Sequence, residues 1–138
     1  QKDGFDGALF CIETSNNGTQ KITYSAAYCK PVILRNGTVI TLENDRMPVG
    51  MGESLSEFKL FTFNAQPYDI LYVFSDGYAD QFGGPQGKKF KYKRLIELLS
   101  SVSSQPMSEQ QEILNQTFED WKGNLEQVDD VCIIGIRL

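Results

Sequence analysis

The sequence predicts an α+β fold: a mainly antiparallel β-sheet or sandwich with two helices packed on it. Three observations lead there. Short β-rich segments crowd residues 7–75, two stretches of helical periodicity follow at 91–102 and 108–123, and one last apolar run closes the chain at 131–138. Strands, then helices, then a strand is the order of a sheet with segregated helices, not of an alternating parallel unit. A length of 138 residues corresponds to one domain or part of one, and a 41% apolar fraction is enough for a core.

The elements follow in order. "GALFCIE" (7–13) reads as a strand, "TSNNGTQ" as a turn and "KITYSAA" (21–27) as a second strand. "PVILRNGTVITL" (31–42) is a hairpin, because Asn36-Gly37 tolerates the two positive φ angles of a two-residue turn. "DRMPVGMGES" is a Gly/Pro loop, and "FKLFTFNA" (58–65) a strand with little polar face. In "DILYVFS", Ile70, Tyr72 and Phe74 alternate with Leu71, Val73 and Ser75, so the strand is apolar on both faces and belongs at the centre of a sheet covered on both sides. "VCIIGIRL" reads the same way until Arg137. Between these two runs, Leu95, Leu98, Leu99 and Val102 mark one helix. Leu114, Phe118 and Trp121 mark the other, which opens with Ser108 and Gln111 at capping-box spacing and stops at Gly123.

Composition removes several functions. The net charge of −5 disfavours a nucleic-acid surface. No apolar stretch approaches the ~20 residues of a membrane span. Cys11, Cys29 and Cys132 have no paired spacing; two of them sit in strand-like runs, so they read as small buried hydrophobes in a reducing compartment, hence cytoplasmic. The chain has no His, so triad chemistry and imidazole ligation are absent; catalysis would rest on carboxylates, Lys, Cys or a hard metal held by oxygen. "QKDGFDGALF" enters a strand abruptly, as a cut through a longer protein would.

Acids flank the two most apolar strands. Asp76 ends the run 70–75, and Asp129-Asp130 precede the run 131–137. If these strands are antiparallel neighbours, Asp76 meets Asp129 or Asp130 at one rim. Carboxylates that close repel unless a cation lies between them, and an all-oxygen, His-free cluster suits Mg²⁺ or Mn²⁺ rather than Zn²⁺.

These residues resemble the metal-dependent protein serine/threonine phosphatases, in the branch typified by stage II sporulation protein E. The resemblance is carried by "LYVFSDGYADQFGG", by "GKKFKYKRL" leading into two helices, by "VDDVCIIGIRL", and by the hairpin "ILRNGTVI" and the loop "MPVGM". It implies that residues 1–138 are the C-terminal portion of one such domain. It implies Asp76 and Asp129 as metal ligands, Asp130 ranked after Asp129, Gly77 as the tight backbone turn at the metal, and no ligand role for Asp80. In the complete domain two Mn²⁺ or Mg²⁺ ions would activate water against a phosphoserine or phosphothreonine, without a covalent intermediate. The implied partner is a phosphorylated regulatory protein of the anti-sigma-factor antagonist type.

The chain also departs from that pattern. The family's earlier metal-binding segments have no counterpart; Asp3 and Asp6 read as a polar turn, and "AAYCKP" stands where relatives carry small residues with His or Asn. This chain alone is therefore expected to be inactive, with an open sheet edge that a homodimer could cover. The alternative is a catalytically degenerate domain of the same fold that binds a phosphoprotein without hydrolysing it.

Overall fold

The computed structural model describes residues 4–50 and 56–138. Eleven strands and three helices occur among them. The main sheet has the order β11–β8–β4–β5, built from β4 (Val32–Arg35), β5 (Thr38–Thr41), β8 (Ile70–Phe74) and β11 (Ile133–Arg137), all antiparallel. A three-stranded sheet has the order β2–β3–β7, from β2 (Gly7–Thr14), β3 (Gln20–Ala27) and β7 (Phe61–Ala65). Two ribbons pair β1 (Gly4–Phe5) with β6 (Val49–Gly50), and β9 (Phe82–Gly83) with β10 (Lys88–Lys89). The helices are α1 (Gly77–Asp80), α2 (Tyr92–Val102) and α3 (Met107–Lys122).

The alternation in β4 and β8 divides the interior into two layers. Ile33 and Leu71 pack with Ile22, Tyr24 and Ala26 of the second sheet. Val32, Leu34, Ile70 and Tyr72 pack with Leu95, Leu99, Leu114 and Phe118 of α2 and α3. A side-chain period of two forces this split, since neighbouring residues of a strand point to opposite faces. Leu71, Leu95 and Leu99 are fully buried, and truncation of such a leucine to alanine costs about 2–5 kcal/mol. No described helix is long and apolar enough to cross a membrane.

The hairpin turns at Asn36 (φ 48°) and Gly37 (φ 77°), as the dipeptide predicts. Helix α3 ends at Gly123 as expected. Five expectations need correction. The cysteines are not buried hydrophobes: Cys11 and Cys132 are exposed and Cys29 is half-buried, because the faces of the chain on which they lie are left uncovered. Ser108 makes no capping box: α3 starts one residue earlier, behind Pro106, whose fixed φ of −54° pre-sets the first turn. The strand expected at 58–65 is ordered into a sheet only from Phe61, because beyond Tyr24 the edge of β3 is taken by Asp45, which bridges Ala27 and donates its N–H to the Ala26 carbonyl (2.8 Å). Between β8 and β9 a single helical turn, α1, adds a third helix. The last strand is not covered on both faces: β11 lies at the sheet edge, with Cys132, Ile134 and Ile136 exposed, because the three-stranded sheet does not extend over it. Asp3 and residues 51–55 of the Gly/Pro loop lie outside the described residues.

Candidate metal centre

β8 and β11 are antiparallel neighbours, with Phe74 opposite Ile133. The pairing continues past the regular strands through Ser75. Its N–H donates to the Cys132 carbonyl (2.9 Å), its hydroxyl donates to the Asp130 carbonyl (2.9 Å), and the hydroxyl accepts from the Cys132 N–H (3.0 Å). Ser75 thus closes the end of the two-strand ladder, and the chain leaves it directly into Asp76.

Asp76 is the first residue outside α1, and its carbonyl accepts the Asp80 N–H (2.9 Å). Its carboxyl is pushed above the ordinary carboxylate value, first by loss of water at the rim, then by the charges of Asp80, Asp129 and Asp6. The residue as a whole is exposed, so solvent screens much of that repulsion. Asp129 accepts the N–H of Asp130 with its own Oδ1 (2.8 Å), while its carbonyl accepts from the Gln127 amide (2.9 Å). This local hydrogen bond fixes the Asp129 side chain beside the rim.

Asp130 meets the site through its backbone. Its carbonyl takes the Ser75 hydroxyl and occupies the place where a β-carbon on residue 77 would stand, only 2.2 Å away. Its carboxylate is not among the charges that raise Asp76. Gly77 is therefore demanded by close packing; its φ is not positive, so the expected special turn is not what selects glycine there. Asp80 is ion-paired to Lys89 (3.0 Å).

Asp76, Asp80 and Asp6 line a cleft of about 630 Å³ together with Tyr28, Cys29 and Tyr92, whereas Asp129 and Asp130 are not among its walls. Tyr28 holds a positive φ of 53°, an uncommon conformation for an aromatic residue. Burial, then the charge of Asp6, push the Cys29 thiol up. Asp6 and Asp80 were assigned no part in the site from sequence. Asp80 carried a readable signal, since it lies one helical turn after Asp76. Asp6 carried none: β1 and β2 bring it to the cleft only through tertiary contacts.

The donor chemistry fits a hard divalent cation: carboxylates and backbone carbonyls, without imidazole, and with repulsion at Asp76 that a cation would relieve. The donor number does not complete a shell. Among the described residues no group of three or more His, Cys, Asp or Glu is placed to hold one ion.

This arrangement of sheets and helices matches solved PP2C-type phosphatase domains. The SiaA-PP2C domain of Pseudomonas aeruginosa superposes with a TM-score of 0.77 at 26% identity, over 86% of this chain and 46% of that one. The phosphatase domain of the cell-fate determinant SpoIIE from Bacillus subtilis gives 0.64 at 14% identity, over 96% and 57%. The catalytic domain of the serine/threonine phosphatase PstP, described in complex with two manganese ions, gives 0.57 at 14%, over 96% and 59%. The last two likenesses carry the fold alone. Residues 7–138 match the family Stage II sporulation protein E (SpoIIE), and the chain belongs to that family. It spans about half the length of the solved relatives it matches. Among curated proteins none matches.

Proposed function

We propose that this chain is the C-terminal portion, residues 1–138, of a metal-dependent protein serine/threonine phosphatase domain. Asp76 and Asp129 are metal ligands in this reading, Asp130 ranks behind Asp129, and Gly77 admits the backbone of the Asp130 segment. The observation that supports it is the antiparallel pairing of β8 with β11, which brings Asp76 and the Asp129–Asp130 segment to one sheet end, where burial and neighbouring carboxylates hold the Asp76 carboxyl above its ordinary value. Manganese in PstP, and a manganese-soaked form of the Bacillus subtilis SpoIIE domain, support Mn²⁺ or Mg²⁺ as the ion, two in the complete domain. When bound, such ions supply an activated water near neutral pH and neutralise charge on phosphoryl oxygens.

The chain's own residues do the positioning. Ser75 fixes the rim, Gly77 lets the Asp130 carbonyl approach, and the Asp129 side chain is held by its neighbour's N–H. The substrate is a phosphoserine or phosphothreonine on a regulatory protein of the anti-sigma-factor antagonist type, in the cytoplasm, where the three free thiols stay reduced. A second reading has one observation in its favour: with no three-acid cluster among the described residues, the domain is a non-hydrolysing phosphoprotein binder.

Calorimetric titration with Mn²⁺, paired with turnover of a phosphoserine protein, separates the two. The phosphatase reading expects weak Mn²⁺ binding by this chain, lost in Asp76→Asn, and Mn²⁺-dependent turnover by a longer chain that carries further ligands. Wild-type Mn²⁺ affinity in Asp76→Asn would overturn the ligand assignment. A longer chain that binds phosphoprotein without turnover would establish the second reading.

A further inference from the structure

The chain carries a net charge of −5, yet five of its 13 basic residues fall within residues 88–94, "KKFKYKR". They form one wall of a groove of about 450 Å³ with an aromatic floor. Arg94 lies over the Trp121 ring at 4.5 Å and over Phe90 at 5.5 Å, and Phe90 meets Trp121 edge to face. Cation–π stacking holds the guanidinium flat while leaving its N–H groups available. Two cations of the segment have acidic partners, Lys89 with Asp80 at 3.0 Å and Lys93 with Glu97 at 4.0 Å. Lys88, Lys91 and Arg94 have none within 4 Å among the described residues.

The fold fastens this segment in place. Gly83 packs so closely on the end of α3 that a β-carbon there would sit 1.8 Å from the Trp121 carbonyl, and the Gly84 N–H donates to the same carbonyl (2.8 Å). Lys91 holds a φ of 78°, a conformation that a side-chain-bearing residue adopts only under constraint. The constraint is visible: the Lys91 N–H donates to Ala79 (2.7 Å) and the Phe90 N–H to Gln81 (2.9 Å). Both acceptors belong to the turn that begins at Asp76. Lys89 and Lys91 line both the groove and the Asp76 cleft, so the two adjoin.

We propose that the groove formed by Lys88, Lys91, Lys93, Arg94 and Trp121 is a docking surface for an acidic peptide segment adjoining the phosphorylated residue of the partner protein. This rests on the phosphatase-family reading and adds the partner's flanking chemistry to it. A patch of fixed cations on an otherwise acidic chain attracts carboxylates and repels little of the partner's remaining surface. A short acidic segment is favoured over nucleic acid because the cations are confined to one groove on an otherwise anionic chain, which a longer polyanion would also have to face.

Trp121 is the chain's sole tryptophan and reports on the groove directly. The test is titration of its fluorescence, without metal, using tryptophan-free peptides: a Glu-rich phosphoserine peptide, its unphosphorylated twin and a Gln-for-Glu control. An oligonucleotide of equal charge is run beside them. The expected result is saturable binding of both acidic peptides, weakened roughly ten-fold between low and high salt. The double variant Lys88→Glu/Lys93→Glu, at two exposed positions, should lose at least about ten-fold in affinity while keeping its melting temperature. Equal binding of the Gln control, no response to either acidic peptide, unchanged affinity in the double variant, or tighter binding of the oligonucleotide would each overturn the proposal. None of these outcomes depends on Mn²⁺ binding at Asp76, so docking and metal assignment fail separately.

Discussion

The Asp130 carbonyl fills the space that a β-carbon on residue 77 would occupy, at 2.2 Å from its ideal position. One backbone thus rests on another at the end of β8 and β11, and the side chain of Val131 closes in at 3.2 Å. Gly77→Ala has no flexible neighbour to push aside. It should destabilise the chain by about 1–3 kcal/mol, read as a lower denaturant midpoint at unchanged slope. A midpoint equal to wild type would show that the segment relaxes without cost.

Removing the charge at Asp76 should stabilise the metal-free chain. Burial and neighbouring carboxylates raise its pKa above the ordinary 3.8, so in the window just above that value the folded chain binds more protons than the unfolded one. Stability is then lost as pH rises through the raised folded pKa, and at pH 7 the penalty is complete. Asp76→Asn should gain about 0.5 kcal/mol at pH 7, small because the residue is exposed. The gain should vanish below pH 3.8. Thermal melts at the two pH values check the sign.

Gln81 ties the turn at Asp76 to the segment that leads to Asp129. It is fully buried, and its side-chain amide donates to the carbonyls of Phe82 (3.0 Å) and Glu126 (2.9 Å), while its backbone carbonyl accepts from the Trp121 indole (2.9 Å). Gln81→Ala leaves two part-buried acceptors without their donor and should cost about 1–2 kcal/mol. It should also weaken Mn²⁺ binding, since the Asp129 loop loses a tether. Loss of stability with unchanged Mn²⁺ affinity would separate the two effects.

Alkaline pH should unfold the helix layer first. The Tyr72 phenol donates to the buried Gln110 amide oxygen and is pushed up to about 12, chiefly by burial. Tyr78 donates to the Leu114 carbonyl (2.8 Å) and is raised by burial as well. The folded state keeps these protons while the unfolded state releases them from pH 10 upward, so stability falls as pH rises above 10. Tyr72→Phe should flatten that fall at a cost near neutral pH of about 1 kcal/mol for the lost hydrogen bond. Denaturation midpoints between pH 8 and 11 test it.

The open face of β11 should drive self-association. Ile134 is 52% exposed and Ile136 37% exposed, on a sheet edge with no further strand beside it among the described residues. Such edges pair with a second chain unless a charge interrupts them. Sedimentation should show association rising with concentration, reduced in Ile134→Lys. A monomer over the whole range would contradict it.

Local rules in the sequence were enough for the hairpin at Asn36-Gly37, the helix stripes of Leu95, Leu99, Leu114 and Phe118, and the two-faced strand at 70–74. Each depends on periodicity or turn chemistry within a few residues, which the chain enforces wherever it folds. The antiparallel pairing of 70–74 with 133–137, which puts Asp76 and the Asp129–Asp130 segment at the same sheet end, was legible because both runs are apolar and each abuts acids. What only the tertiary structure decided depends on distant segments. Asp6 reaches the cleft, β11 falls at an edge with one face uncovered, and the Asp130 carbonyl rather than its carboxylate presses on Gly77. The lysines of 88–94 became a groove only when Gly83 and Gly84 docked on Trp121. Periodicity gives a residue its face on an element, but which element covers that face is fixed by packing among segments far apart in the chain.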